Sequence, residues 1–178
     1  MLAILRRLAH RPGAVEKVST RMIDSGEPVP YMERTRHYYR ALGYAKDYVW
    51  ARHDEVPFAR LAKPLSQCRL ALITTAMPDG HSGKRQLWSG TVDPPPARLH
   101  TDNLAWDKES THTDDRGSFL PIEAAAALAR EGFIASLAPR FHGVPTDYSQ
   151  RSTTEEVAPR LLQRLRDDGA DGAILCPL

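Results

Sequence analysis

The sequence predicts an α/β fold: a mainly parallel sheet with flanking helices and an N-terminal helical arm, in a domain expected to be incomplete at its C-terminus. Three stretches carry that expectation. Residues 69–76, Arg-Leu-Ala-Leu-Ile-Thr-Thr-Ala, form a continuous apolar run, the pattern of a strand buried on both faces. Residues 121–130 read as a helix opened by Pro121, followed by Gly132 and a strand over residues 133–137. Residues 155–166, rich in Leu and Arg, read as a helix feeding through a Gly-containing turn into the closing run Ala173-Ile174-Leu175-Cys176-Pro177-Leu178. Helix followed by apolar strand, twice over, is the order of a parallel sheet whose crossovers are helical.

The remaining elements follow in order. Residues 1–25 read as one or two short helices interrupted at Pro12-Gly13, with Val15, Val18 and Met22 on one stripe. Pro28 and Pro30 make residues 26–30 a loop. Residues 31–42 read as a helix stopped by Gly43. Residues 47–62 are aromatic and loop-rich, with a short helix near Phe58. Residues 77–90 contain Pro78-Asp79-Gly80 and Gly83 and read as a loop; Pro94-Pro95-Pro96 is a stiff spacer. A short strand is expected from Arg98 through Trp106, then a polar loop over residues 107–118. Residues 139–152 read as another polar loop, with Thr153 or Thr154 as N-cap of the last helix and Pro159 in its first turns. The organisation expected is one domain over residues 1–178: a helical arm and loop over 1–65, and a sheet-containing core over 66–178.

Composition narrows the function classes. Apolar residues make up 42% and charged residues 26%, ordinary for a soluble globular chain. Net charge is +2, with 12 basic and 7 acidic residues before position 66 and no aromatic-interleaved basic patch, so no nucleic-acid partner is expected. No apolar stretch approaches the roughly 18–20 residues that span a bilayer, so no membrane partner is expected. The opening residues through Leu8 are too short for a signal-peptide core and read as an amphipathic helix that docks on the body or a partner. Cys68 and Cys176 form neither CxxC nor a zinc pattern, which points to a reducing, cytoplasmic setting without a metal. GxGxxG, the P-loop and GxSxG are all missing, so nicotinamide, nucleotide and serine-hydrolase readings have no support.

Several groups have the chemistry of a site. His112 with Asp114 and Asp115 is able to bind a metal or act as an acid–base pair, or the carboxylates simply cap a solvated turn. His142 and Arg140 follow a strand, where α/β sites collect; the imidazole suits proton transfer and the guanidinium a carboxylate. Arg34, among Tyr31, Tyr38 and Tyr39, suits recognition of an amino acid carboxylate, or else the cluster locks a helix by packing. Cys176 lies within an apolar strand, where a buried, inert thiol is the simpler reading than a nucleophile; Cys68 reads as core or edge.

Three blocks carry a resemblance: VPYMERTRHYYRALGYAKDYVWARHDEVPFARLAKPLSQCRLALITTA from Val29, FLPIEAAAALAREGFIASLAPR from Phe119, and the closing DGADGAILCPL. They resemble the selenoprotein B family of glycine, sarcosine, betaine and D-proline reductases, over nearly the whole chain and most loosely at residues 78–118. The most specific parts are VPYxERTRxYYxALGY and the FxPI…EGxIxxLAPR block.

The resemblance implies a subunit that cleaves a carbon–nitrogen bond with dithiol electrons. In the family a pyruvoyl-bearing partner subunit holds the substrate amine as a Schiff base, a selenolate displaces the amine, and a second selenoprotein takes up the carbon fragment. This implies no cofactor in the present chain, other reductase subunits as partners, and a small amine or amino acid as substrate. Asp114 or Asp115 matches the family's Asp-rich stretch. The redox-active selenocysteine or cysteine, aligned on the last strand, falls immediately after Leu178, so Cys176 does not inherit it. A frame ending here is what a selenocysteine codon read as termination leaves; a short paralogue is the alternative. The 178-residue form is therefore expected to be inactive. Rival readings are a non-catalytic interaction module and a cofactor-independent thiol enzyme, such as a racemase, using Cys176.

Overall fold

The computed structural model describes residues 30–178 except 48, 50, 53, 57, 58, 103, 105, 106, 147 and 148. The helices expected over residues 1–25, most of the loop over 26–30 and the helix near Phe58 lie outside the described residues, as do Ala105 and Trp106; the strand expected from Arg98 to Trp106 stops at His100, where the chain turns and Leu104 N–H donates to the Thr101 carbonyl. The chain forms two compact units, Met1–Arg52 and His53–Leu178.

In the first unit, α1 (Tyr31–Ala41) follows Pro30, carries Glu33 in its first turn and Arg40 in its last, and so complements the helix dipole at both ends. Gly43, at φ +89°, lets the chain leave the helix. Arg40 returns through a two-point ion pair to Asp47, 2.9 and 2.6 Å. No residue of α1 is buried, and Tyr38, Tyr39 and Tyr44 stack edge to face at its end.

The second unit is built on β1 (Arg69–Thr74), the expected central strand, buried from Leu70 onward. On one side it pairs in parallel with β5 (Ser136–Leu137) and then β6 (Arg140–Gly143). On the other it pairs in parallel with β7 (Gly172–Cys176) along its length. β3 (Trp88–Thr91) lies antiparallel outside β6. Two residues past β1, β2 (Met77–Pro78) pairs with β4 (Leu99–His100) in a small second sheet, so the stretch 77–90 is not the uninterrupted loop expected.

The main core lies on one face of the sheet. Leu72, Ala76, Phe119, Leu120 and Phe141 meet Ile122 and Ala125 of α2 (Ile122–Arg130), with Trp88 packed at the margin. A smaller cluster joins Cys68, Leu70 and Ile134. After α2 the expected strand over 133–137 shrinks to Ser136–Leu137, and Phe133 is exposed. The helix ending takes those residues: Gly132 at φ +80° donates to Ala129 and Phe133 donates to Leu128, so the Phe133 amide is spent on the cap.

The stretch read as a loop after Pro139 is in fact β6, with Phe141, His142 and Gly143 buried. Its polar residues obscured the strand because their partners come from distant parts of the chain. The last helix starts earlier than expected: Ser149, not Thr153 or Thr154, accepts the capping hydrogen bond, from Ser152 N–H. α3 (Gln150–Ser152) runs through a π turn (Thr153–Val157) into α4 (Ala158–Asp167). The wider turn sits just before Pro159, whose missing N–H removes one rung of the helix ladder. The closing apolar run has the sequence of a buried strand, yet β7 is an edge strand: Ile174 and Leu175 are 41% and 60% exposed.

Candidate functional site

Register brings three strand ends together. Thr74 stands beside Gly143 of β6 and Cys176 of β7, so β1, β6 and β7 all finish at one edge. In open parallel sheets that edge is where ligand crevices form. Val144 N–H continues the pairing to the Thr74 carbonyl at 2.9 Å. Leu178 N–H donates to Thr75 Oγ1 at 2.9 Å, which pins the end of β7 beside the end of β1. Trp88 Nε1 donates to the Ala76 carbonyl at 3.0 Å, and the Arg85 guanidinium donates to the Thr75 carbonyl. Burial lowers the pKa of Arg85 from its ordinary value. Thr75, the His142 segment and Leu178 therefore converge on one side of the sheet.

Gly143 is required here by space. A Cβ on it would lie 1.8 Å from Trp88 Nε1, so only glycine allows the indole to cross the strand end and reach Ala76.

The sheet face that carries His142 joins the buried apolar Ala71 and Ile73 to a polar cluster. His142 is fully buried. Its Nδ1 lies 2.9 Å from Ser89 Oγ on the paired strand β3. Its Nε2 lies 3.1 Å from Asp168 Oδ2, within ion-pair distance but out of line for a hydrogen bond. Asp168 Oδ1 accepts from Arg140 Nε at 2.8 Å and lies 2.7 Å from its Nη2. Arg164 of α4 donates to Ser89 Oγ at 2.8 Å. Burial, opposed by the Asp168 charge and reinforced by Arg140 and Arg164, holds the His142 pKa below its usual value. The ring is thus neutral near pH 7, and one proton order satisfies Nδ1: Arg164 to Ser89, and the Ser89 hydroxyl to Nδ1, with the ring proton on Nε2 facing Asp168.

The sequence-derived candidates separate on this frame. His142 and Arg140 share the Asp168 carboxylate, so Arg140 is already committed to a protein carboxylate. Asp115 caps a one-turn 3₁₀ segment (Arg116–Ser118), accepting from Gly117 N–H at 2.9 Å. Its neighbours His112 and Asp114 instead line a polar cavity of about 410 Å³ with Arg98, Thr101 and Arg116, off the β4 strand. Arg34 lies on α1 in the other unit, its guanidinium carbon 6.0 Å from the Tyr31 ring centroid. Cys176 is half-buried, and burial pushes its thiol pKa up, the opposite of what activates a nucleophile. Cys68 is buried, its thiol directed at the carbonyls of Lys63 and Pro64. Among the described residues no group of three or more His, Cys, Asp or Glu side chains is arranged to hold a metal.

Ser89, Arg164 and Asp168 escaped the sequence reading. Each looks ordinary where it stands, in a Gly-Ser stretch, on a helix, and at a helix end; only the fold makes them neighbours of His142. Among the described residues no helix is long and apolar enough to cross a membrane. No family model, no curated protein and no solved structure matches this chain.

Proposed function

We propose that the chain contributes the crevice of a reductase subunit that cleaves the carbon–nitrogen bond of glycine, sarcosine, betaine or D-proline with dithiol electrons. The reading starts from the three sequence blocks that resemble the selenoprotein B family. The single observation that carries it further is the shared strand edge: Thr74 in register with Gly143 and Cys176, and Leu178 tied to Thr75. The family's redox-active position, just beyond Leu178, belongs at that edge, where a selenolate or thiolate supplies the nucleophile that displaces the amine.

In this proposal the chain's own residues build and hold the crevice. Thr75 fixes the approach of the last strand, Gly143 makes room for Trp88, and Trp88 bonds the Ala76 carbonyl beyond the end of β1. Cys176 takes no part as nucleophile, because burial raises its pKa. No cofactor is assigned to this chain; a pyruvoyl group belongs to a partner subunit. Two unpaired cysteines accord with a reducing, cytoplasmic setting.

A non-catalytic interaction module is the second reading. The outward Ile174 and Leu175 of the edge strand favour it, since exposed apolar edge residues invite a partner. The two separate in one assay. The protein, purified with its associated subunits, is given each of the four substrates with dithiothreitol, and amine release is followed. The reductase reading expects release with one substrate, lost when the residue after Leu178 is replaced by serine, and none from the 178-residue chain alone. Partner binding without turnover supports the module. Turnover abolished by Cys176→Ser supports a thiol enzyme and defeats the proposal.

A further inference from the structure

We propose that the Ser89–His142–Asp168 cluster is a proton-sensitive tie: it holds α4 on the sheet while His142 is neutral and releases the helix when His142 is protonated. This device is independent of the reductase reading. It starts from how little else holds α4. No residue of that helix is buried; Leu161, Arg164 and Leu165 are half-buried, and Leu162 is exposed. Its docking therefore leans on polar contacts. Arg164 reaches Ser89 Oγ at 2.8 Å and the Leu87 carbonyl at 3.5 Å. At its C-terminal end, Asp168 holds Arg140 and faces His142, while Arg69 donates to the Asp168 carbonyl at 3.2 Å.

The charges around the ring oppose a further proton. β6 supplies Arg140, α4 supplies Arg164 and its C-cap supplies Asp168; β1 supplies Arg69, bonded to the Asp168 carbonyl; β3 supplies only the neutral Ser89 hydroxyl. Asp167 acts on Arg140 from the same turn. A proton on Nδ1 would put a second strong donor on Ser89 Oγ, which already accepts from Arg164, and would deprive the serine hydroxyl of its acceptor. The Asp168 carboxylate offers only partial relief, because Oδ2 is out of line with Nε2 and Oδ1 is occupied by Arg140. Protonation thus demands rearrangement, and the weakest-held layer is α4. Once α4 lifts, the ring meets water and titrates as an ordinary imidazole.

The linkage has a definite sign. A group that binds a proton more readily in the released state favours release as pH falls through its released-state pKa, about 6.5. Between pH of about 7.5 and 5.5 the released state gains weight, by up to about tenfold. The test is amide hydrogen exchange by NMR, read as protection factors, which remove the intrinsic pH dependence of exchange. Protection over residues 161–168 is expected to fall across that range, by up to about tenfold, with the β1 amides unchanged. H142Q, which keeps polar contacts but does not titrate, should abolish the dependence, and R164Q, which removes one opposing cation, should reduce it. Should H142Q not fold, the wild-type His142 ring is titrated directly by NMR. Proton uptake near 6.5 with α4 protection intact would overturn the proposal. So would α4 protection that is constant with pH, or that changes equally in H142Q.

Discussion

Replacing Gly143 with alanine forces a methyl group into the Trp88 indole. The added Cβ would stand 1.8 Å from Nε1 and 2.5 Å from both Cδ1 and Cε2. The backbone has little room to retreat, because Gly143 is in register with Thr74 on one side and Trp88 on the other. The indole must therefore move. It gives up its hydrogen bond to the Ala76 carbonyl, 3.0 Å, and its edge-to-face contact with Phe141 at 5.2 Å and 87°. The hydrogen bond contributes about 1 kcal/mol, the aromatic pair about 1 kcal/mol, and overpacking costs about 1–3 kcal/mol. The losses overlap, so we expect a destabilisation of about 3–4 kcal/mol, a large fraction of a typical domain's 5–15 kcal/mol. Urea unfolding followed by far-UV circular dichroism measures it without depending on which tryptophan reports. Gly132→Ala is the comparison. Position 132 has φ +80° but open space around the new Cβ, so only backbone strain applies, about 1 kcal/mol. A Gly143→Ala cost below about 0.5 kcal/mol, or no larger than that of Gly132→Ala, would refute the close packing at this strand end.

Other expectations follow from the same contacts. Asp168→Asn removes the carboxylate from Arg140 and His142; with Arg140 partly exposed, the expected loss is about 2–3 kcal/mol in urea unfolding, and the His142 pKa should drop further, since Asp168 acts to raise it. Unchanged stability and an unchanged ring titration would remove Asp168 from the cluster. Thr75→Val deletes the acceptor for Leu178 N–H and should cost about 1 kcal/mol and raise exchange at Leu178; an unaffected Leu178 amide would contradict that tie. At pH of about 8, the Cys176 thiol should react with a disulfide reagent several-fold more slowly than free cysteine, and Cys68 only on unfolding; parity with free cysteine would show that burial does not control Cys176.

Elements whose signals are local were legible in the sequence. β1 announces itself by an uninterrupted apolar run, and α2 by a proline before it and a glycine after it. The closing helix and strand are also plain, and together they imply the parallel sheet and the convergence of its strand ends. β6 was not legible, because its Arg and His look like loop residues until Asp168 and Ser89 arrive from elsewhere in the chain. The exposure of β7 could not be read either: an apolar strand has the same sequence at a sheet edge as in the middle. Of the candidate site, His142 and Arg140 were found together, but their roles were not, since the committed state of Arg140 depends on a carboxylate 28 positions away. Asp115 was drawn from a cluster of ligand-like residues whose local geometry uses it as a cap.

The most direct test of the proposed reductase reading is whether the protein made by its native host continues past Leu178, and with which residue. Tryptic peptides spanning β7 and what comes after it, analysed by mass spectrometry, read that residue without any assumption about substrate. The account predicts selenocysteine, with its characteristic isotope envelope, or cysteine, carried at the edge formed by Thr74, Gly143 and Cys176. Any other residue at that position, or a protein that ends at Leu178, would leave the proposed site without its nucleophile and contradict the proposal.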